Sequence, residues 1–150
     1  MSKSFKIVVP TDFSDASLAV RDWVKNIATA NQAEVHCITA VHQPMIYMPM
    51  MAGAATTTIP TTDQLSQLSQ DSLNIFIEKH MSDLGTTPVA KVVVGRPANE
   101  IVDYAAEIDA DMIIIATRGH SQLAHAVLGS TAEAVVRGAT CPVLTIRSNE

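Results

Sequence analysis

The chain has 150 residues, 47% of them apolar and 17% charged with few aromatics, which fits one domain with a real core in the Ala/Val/Ile-rich α/β class. A formal charge of −5 and the lack of any Lys/Arg cluster argue against a nucleic-acid partner, although backbone N–H groups can still hold a nucleotide. No apolar run approaches the roughly 18 residues of a membrane span, and Met1 to Lys6 lead straight into a strand without a signal-peptide segment, so a cytoplasmic protein with no membrane partner is expected.

Phe5 to Val9 read as the first strand, stopped at its carboxyl end by Pro10-Thr11-Asp12. Ser14 or Asp15 then caps a helix whose Ala16, Leu18, Ala19, Val20, Trp23, Val24 and Ile27 fall at amphipathic spacing. Glu34 to Val41 form the second strand, giving a parallel pair with a right-handed crossover. From His42 to Thr62 the chain carries Met45, Met48, Met50 and Met51, three prolines and no Lys, Arg, Asp or Glu. This is a long loop that could serve as a lid, a partner surface or an insertion.

Thr62 or Asp63 starts a helix expected to run through Leu65, Leu68, Ile75, Phe76 and His80 to Leu84, with Gly85 as its C′ residue. Val89 to Val94 are the third strand, closed by Gly95-Arg96-Pro97. Pro97 suits the first turn of a helix that buries Ile101, Val102, Ala105 and Ala106. Met112 to Ala116 are an apolar run of the kind a doubly covered parallel strand requires, broken by Thr117-Arg118-Gly119-His120. Further on, Ser130 is expected to cap a helix starting at Thr131, with Glu133 completing a capping box. Cys141-Pro142 end that unit, and Val143 to Ile146 supply the last strand.

Strands and helices alternating in this order predict an α/β fold: a three-layer α/β/α, Rossmann-like doubly wound domain over residues 1–150, with a five-stranded, mainly parallel sheet. Its ligand cleft should lie where the strand order reverses, bordered by Pro10-Thr11-Asp12, Ala40-Val41-His42 and the stretch from Ala116 to Ser130. Cys37 and Cys141 match no CxxC spacing and read as buried thiols. No Walker A, GxGxxG, GxSxG or HExxH sequence occurs. His120 and His125 read as solvated or phosphate-facing rather than as metal ligands. Taken singly, Asp12 and Gly119 are turn residues, Gly129 is the start of a helix, and Ser130 with Glu133 is a cap. Gly119, Gly129 and Ser130 together, at this spacing behind a buried strand, favour phosphate binding by a helix N-terminus.

The run Ala116-Thr117-Arg118-Gly119, nine residues, Gly129-Ser130 resembles the signature of the universal stress protein family, a G-x-x-G, nine residues, G-S/T loop that wraps nucleotide phosphates. Val8 to Ser14, Gly95 to Ala98 and Cys141 to Leu144 resemble the same family's pattern. The resemblance implies an ATP or AMP ligand with or without Mg²⁺, a homodimer through the C-terminal strand, and a regulatory role under stress rather than catalysis. By the same resemblance Pro10, Thr11 and Asp12 would border the nucleoside, and the Val41 main chain would meet the adenine. The phosphates would fall to Ala116, Thr117, Arg118, Gly119, His120, Ser121 and Gln122, with Gly129, Ser130 and Thr131. Ala116 departs from the pattern, since the nucleotide-binding branch usually has glycine there, and its methyl would narrow the pocket or, at positive φ, cost binding. Two alternatives stand beside this reading. One is a dimerising stress protein that binds no nucleotide and acts through protein contacts of its Met-rich loop. The other is a slow ATP hydrolase, for which no positioned base or arginine finger can be named.

Overall fold

The computed structural model describes residues 2–42, 60–118 and 128–148. The apolar runs become β1 (Lys6–Pro10), β2 (Glu34–Val41), β3 (Val89–Val94), β4 (Met112–Ala116) and β5 (Val143–Ile146). They form one sheet in the order β3-β2-β1-β4-β5, with every neighbouring pair parallel. Successive side chains of a strand face opposite layers. Accordingly Ile7, Val9, Val35, Cys37 and Ile114 pack under α1 (Arg21–Asn31) and α2 (Thr62–His80). Val8, Ile38, Ile113 and Ile115 pack under α3 (Pro97–Glu107) and α4 (Ser130–Gly138) on the other face. The doubly wound α/β/α reading therefore holds.

Several local expectations need correction. The helix after β1 is two helices, a 3₁₀ helix at Asp15–Val20 followed by α1. Ser14 caps the first, its Oγ accepting from the Ser17 amide at 3.3 Å. Because the pitch changes at Arg21, the buried stripe runs through Val20, Val24 and Ala28, and Trp23 is left 51% exposed rather than packed.

Helix α2 begins with a full capping box, in which Thr61 Oγ1 accepts from the Gln64 amide at 3.1 Å and Gln64 Oε1 from the Thr61 amide at 2.9 Å. It ends at His80, short of Leu84, because Met81 and Leu84 leave the helical path to bury themselves in the core; Gly85 still takes positive φ, at 77°. Of the apolar residues expected along it, Phe76 faces the sheet, joined by Leu73 and Ile77, whereas Leu68 and Ile75 are exposed. In α3 Tyr104 joins Ile101 and Ala105 on the buried face, while Ala106 points to water. Helix α4 starts one residue early: Gly129 is the N-cap, Ser130 lies in the first turn, and the predicted capping box is not made. Glu133 instead pairs with Arg137 one turn on, at 2.8 Å.

The methionine-rich stretch lies mostly outside the described residues, at 43–59. Among the described residues no helix is long and apolar enough to cross a membrane.

Candidate functional site

Sheet order reverses between β1 and β4: the chain moves from β1 to β2 on one side and returns to place β4 on the other. The β1–β4 ladder pairs Ile7 with Met112 and Val8 with Ile113, and no register pair follows, whereas β1 and β2 stay paired through Pro10. Above those pairs a cleft of about 600 Å³ opens at the carboxyl ends of the strands, where open α/β sheets take their ligands.

Of the residues the sequence pointed to, Pro10, Thr11, Asp12, Ala116, Thr117, Arg118, Gly129, Ser130 and Thr131 line this cleft. Val41 does not. Its side chain is buried and its carbonyl accepts the Gly95 amide at 3.0 Å, leaving Ala40 and His42 to face the opening. Gly119, His120, Ser121 and Gln122 lie outside the described residues. Phe13, Ser69 and Pro97 also line the cleft, and sequence reasoning did not place them there. Phe13 has φ 65°, an unusual conformation for an aromatic residue, and its ring meets Phe76 edge-on at 5.9 Å. A bulky residue in the left-handed region gives no composition signal, whereas the position of Pro97 at a helix start beside a strand end was readable.

The floor of the cleft is held by short-range polar contacts. Thr11 donates its amide to Ile38 O at 2.9 Å, and its hydroxyl pairs with Ser17 Oγ at 3.0 Å and accepts from the Phe13 amide at 3.0 Å. Asp12 Oδ1 accepts from the Ser14 amide at 3.0 Å and from Ser14 Oγ at 2.5 Å, so the turn reading of Asp12 and its place on the cleft wall are both correct. Opposite, the Gly129 amide donates to Thr117 O at 2.6 Å and seats the start of α4 against the end of β4. Gly129 offers no side-chain cap, so the first-turn amides of α4 keep their anion-binding capacity. Thr117 Oγ1 is buried and makes no hydrogen bond among the described residues.

A wider groove of about 710 Å³ lies at the opposite, amino-terminal end of the strands, between Lys25, Ala33, Asp83 and Gly85. Its charges already pair with each other, Lys25 Nζ with Asp83 Oδ2 at 3.0 Å, and no buried polar side chain there is orphaned among the described residues. The cleft at the carboxyl ends is therefore the candidate site.

A fold with this sheet order and this cleft can be set against known proteins. The universal stress protein family model matches residues 4–147. This chain belongs to the universal stress protein family. Universal stress protein MJ0531 of Methanocaldococcus jannaschii is 36% identical over 143 residues, covering 95% of this chain and 81% of its own length. Universal stress protein YxiE of Bacillus subtilis is 26% identical over 145 residues, with 95% and 98% covered. Among solved structures, a universal stress protein in complex with cAMP superposes with TM-score 0.70 at 26% identity, covering 99% of this chain and 100% of that one. The structure of MJ0577, from Methanocaldococcus jannaschii, superposes with TM-score 0.73 at 22% identity over 99% of each chain, which attests the universal stress protein fold.

Proposed function

We propose that this universal stress protein binds an adenine nucleotide, AMP or ATP, in the cleft between β1 and β4. In this reading it works as a regulatory module of the cytoplasmic stress response rather than as a catalyst, in one domain over residues 1–150. The observation that carries the reading is the uncapped N-terminus of α4 on the cleft wall at the switch point of the sheet, with Thr117, whose buried hydroxyl has no partner among the described residues, on the same wall. A buried hydroxyl without a partner costs stability, and an anionic ligand at that place supplies the missing acceptor. The cAMP bound by a similar structure supports the choice of an adenine nucleotide.

In this reading Pro10, Thr11 and Asp12 border the nucleoside. The end of β2, with Ala40 and His42 lining the cleft on either side of Val41, serves the base. Thr117, Arg118, Gly129, Ser130 and Thr131 serve the phosphate end, with Ala116 beneath them and with Gly119 to Gln122 assigned on the signature alone. Asp12 is the carboxylate through which a Mg²⁺ ion carried by ATP would touch the protein. The dimer uses the outer edge of β5.

Thermal unfolding with and without nucleotide tests this. A ligand that binds only the native state at 100 times its Kd adds about 2.7 kcal/mol, a clear shift for a domain of this size. No shift with millimolar AMP or ATP, together with no nucleotide released from the denatured protein, would overturn the proposal.

A further inference from the structure

Two contacts pin the segment between β1 and α1 to α2. At its near end Phe13 meets Phe76 edge-on, with ring centroids 5.9 Å apart. At its far end Arg21 donates its Nε hydrogen to the His80 carbonyl at 2.7 Å. Phe76 and His80 are one turn apart on α2, and their rings lie 5.1 Å from each other. The 3₁₀ helix Asp15–Val20 is thus bracketed by one face of α2. Ser69, two turns before Phe76 on that face, lines the cleft itself.

Phe13 is held where a bulky residue does not settle by itself. Its φ of 65° lies in the left-handed region, which glycine enters freely and an aromatic residue only at a cost in free energy. Such a conformation persists where its surroundings over-determine it. Here the Phe13 amide donates to Thr11 Oγ1 at 3.0 Å, and the ring rests on the buried Phe76. The turn fixed in this way is cleft wall: Thr11, Asp12 and Phe13 all line the cleft, whereas Phe76 and His80 stand behind it.

Resting on the nucleotide reading above, we infer that Phe13 and Phe76 form a clasp by which α2 holds the cleft wall in its binding form, and by which an occupied cleft steadies α2. Phe13 is then a positioning residue. Opening the clasp lowers the fraction of molecules whose wall is ready for ligand, and apparent affinity falls by that fraction. Coupling of this kind is reciprocal: what α2 does for ligand affinity, bound ligand must do for α2.

Calorimetry and NMR on the full chain, with whichever of AMP and ATP binds more tightly, test the inference. Phe13→Gly, which keeps the left-handed turn accessible but removes the ring, and Phe76→Leu should each weaken binding about fivefold, the effect of one aromatic pair. The double variant should bind no more weakly than either single one, since both open the same clasp. Phe13→Tyr should keep the parent affinity. In the NMR titration the His80 ring signals, assigned with His80→Gln, should move to saturation with the same Kd as the calorimetry, although His80 lies behind the cleft. His36, on the other face of the sheet against Tyr104, should stay still. In Phe13→Gly with ligand at saturation His80 should also stay still, and this variant serves alone if Phe76→Leu fails to fold. Heat in the parent with an unmoved His80, or with Phe13→Gly at parent affinity, overturns the clasp and leaves the nucleotide reading standing. Movement of His36 as large as that of His80 would spread the change over the whole domain and overturns the clasp as its carrier. No heat with millimolar AMP or ATP overturns the nucleotide reading, and this inference with it.

Discussion

The Gly129 amide lies 2.6 Å from the Thr117 carbonyl oxygen, and a Cβ added at position 129 would lie 2.9 Å from that same oxygen. Backbone cannot swing aside as a side chain tip can, so any larger residue must push α4 away from β4. Gly129 has φ −66°, and the conflict is therefore steric rather than conformational. Gly129→Ala should cost about 1–3 kcal/mol in urea denaturation with an unchanged far-UV circular dichroism spectrum, and should abolish the nucleotide-induced melting shift. An alanine variant as stable as the parent would show that the close approach at Thr117 is not needed.

What the sequence made legible divides along physical lines. The later strands were readable almost to the residue, because Met112 to Ala116 and Glu34 to Val41 are dense apolar runs whose ends are marked by turn residues. Helix faces were less readable. Trp23 fits a stripe by spacing, yet the pitch change at Arg21 turns it outward, and α2 presents Leu73, Phe76 and Ile77 to the sheet, which leaves Leu68 and Ile75 outside. At the site, glycine spacing located Gly129, but the N-cap moved from Ser130 to Gly129 because the backbone bond to Thr117 fixes where α4 begins. That Thr117 Oγ1 has no partner among the described residues is a property of three-dimensional packing and leaves no trace in sequence.

His36 is buried on β2 with both ring nitrogens engaged, Nδ1 with the Tyr104 hydroxyl at 2.7 Å and Nε2 with Glu34 Oε1 at 2.6 Å. Tyr104→Phe strands Nδ1 in the core between β2 and α3. The expected loss is about 1–3 kcal/mol, the cost of one buried unsatisfied group. Replacing both partners, as His36→Leu with Tyr104→Phe, should recover much of that loss, since no buried polar atom is then orphaned. A double-mutant cycle by urea denaturation reads the coupling. Strictly additive losses would mean that the hydrogen bond between the two rings contributes nothing.

Burial pushes the Cys37 thiol up to about 12 from its ordinary value of 9.0. Burial also raises Tyr104, assisted by the nearby Glu107 and Glu34 carboxylates. In both cases the folded state holds its proton longer than the unfolded one. The stability that Cys37 contributes is complete below about pH 9 and is lost as pH rises from there toward 12, and that of Tyr104 is lost only above its ordinary value of 10.0. Urea midpoints should fall steadily through this range, and Cys37→Ala should make the fall shallower, on top of its own packing cost. Cys37 should also resist alkylation at pH 8 until the protein unfolds, because the thiolate is the reactive form. Alkylation of Cys37 at the rate of a free thiol in the folded protein would contradict the assignment.

Ala116 sits where the family signature has glycine, and its backbone is that of an ordinary strand residue. It pairs with Ile146 across the β4–β5 ladder and is not among the residues with positive φ, which among the described non-glycine residues are Phe13, Gln32 and Asp109. No left-handed strain is there for glycine to relieve. Ala116→Gly should therefore leave nucleotide affinity unchanged or slightly weaker and lower stability by about 0.4–1 kcal/mol, through the greater freedom of the unfolded chain. Calorimetry and denaturation on both proteins decide this. A severalfold gain in affinity would show that the Ala116 methyl, not the backbone, obstructs the phosphate.

The last prediction concerns the outer edge of β5. Thr117 donates its amide to Ile146 O and Ile113 to Pro142 O, so alternate residues of this strand turn their polar groups to β4, and Val143 and Thr145 turn theirs outward. Leu144 and Ile146 pack on the core below α1 and α2, which makes substitution there ambiguous between folding and assembly. Thr145→Pro avoids the ambiguity. Proline is tolerated on an edge strand where its missing N–H faced away from the ladder, and its ring blocks a second strand from pairing at that point. If two copies join through this edge, the parent should scatter with twice the chain mass of 16.0 kDa at micromolar concentration, and Thr145→Pro should scatter with the single mass while keeping its circular dichroism spectrum. A folded Thr145→Pro variant that still has twice the mass would move the interface elsewhere, and a parent of single mass would remove it.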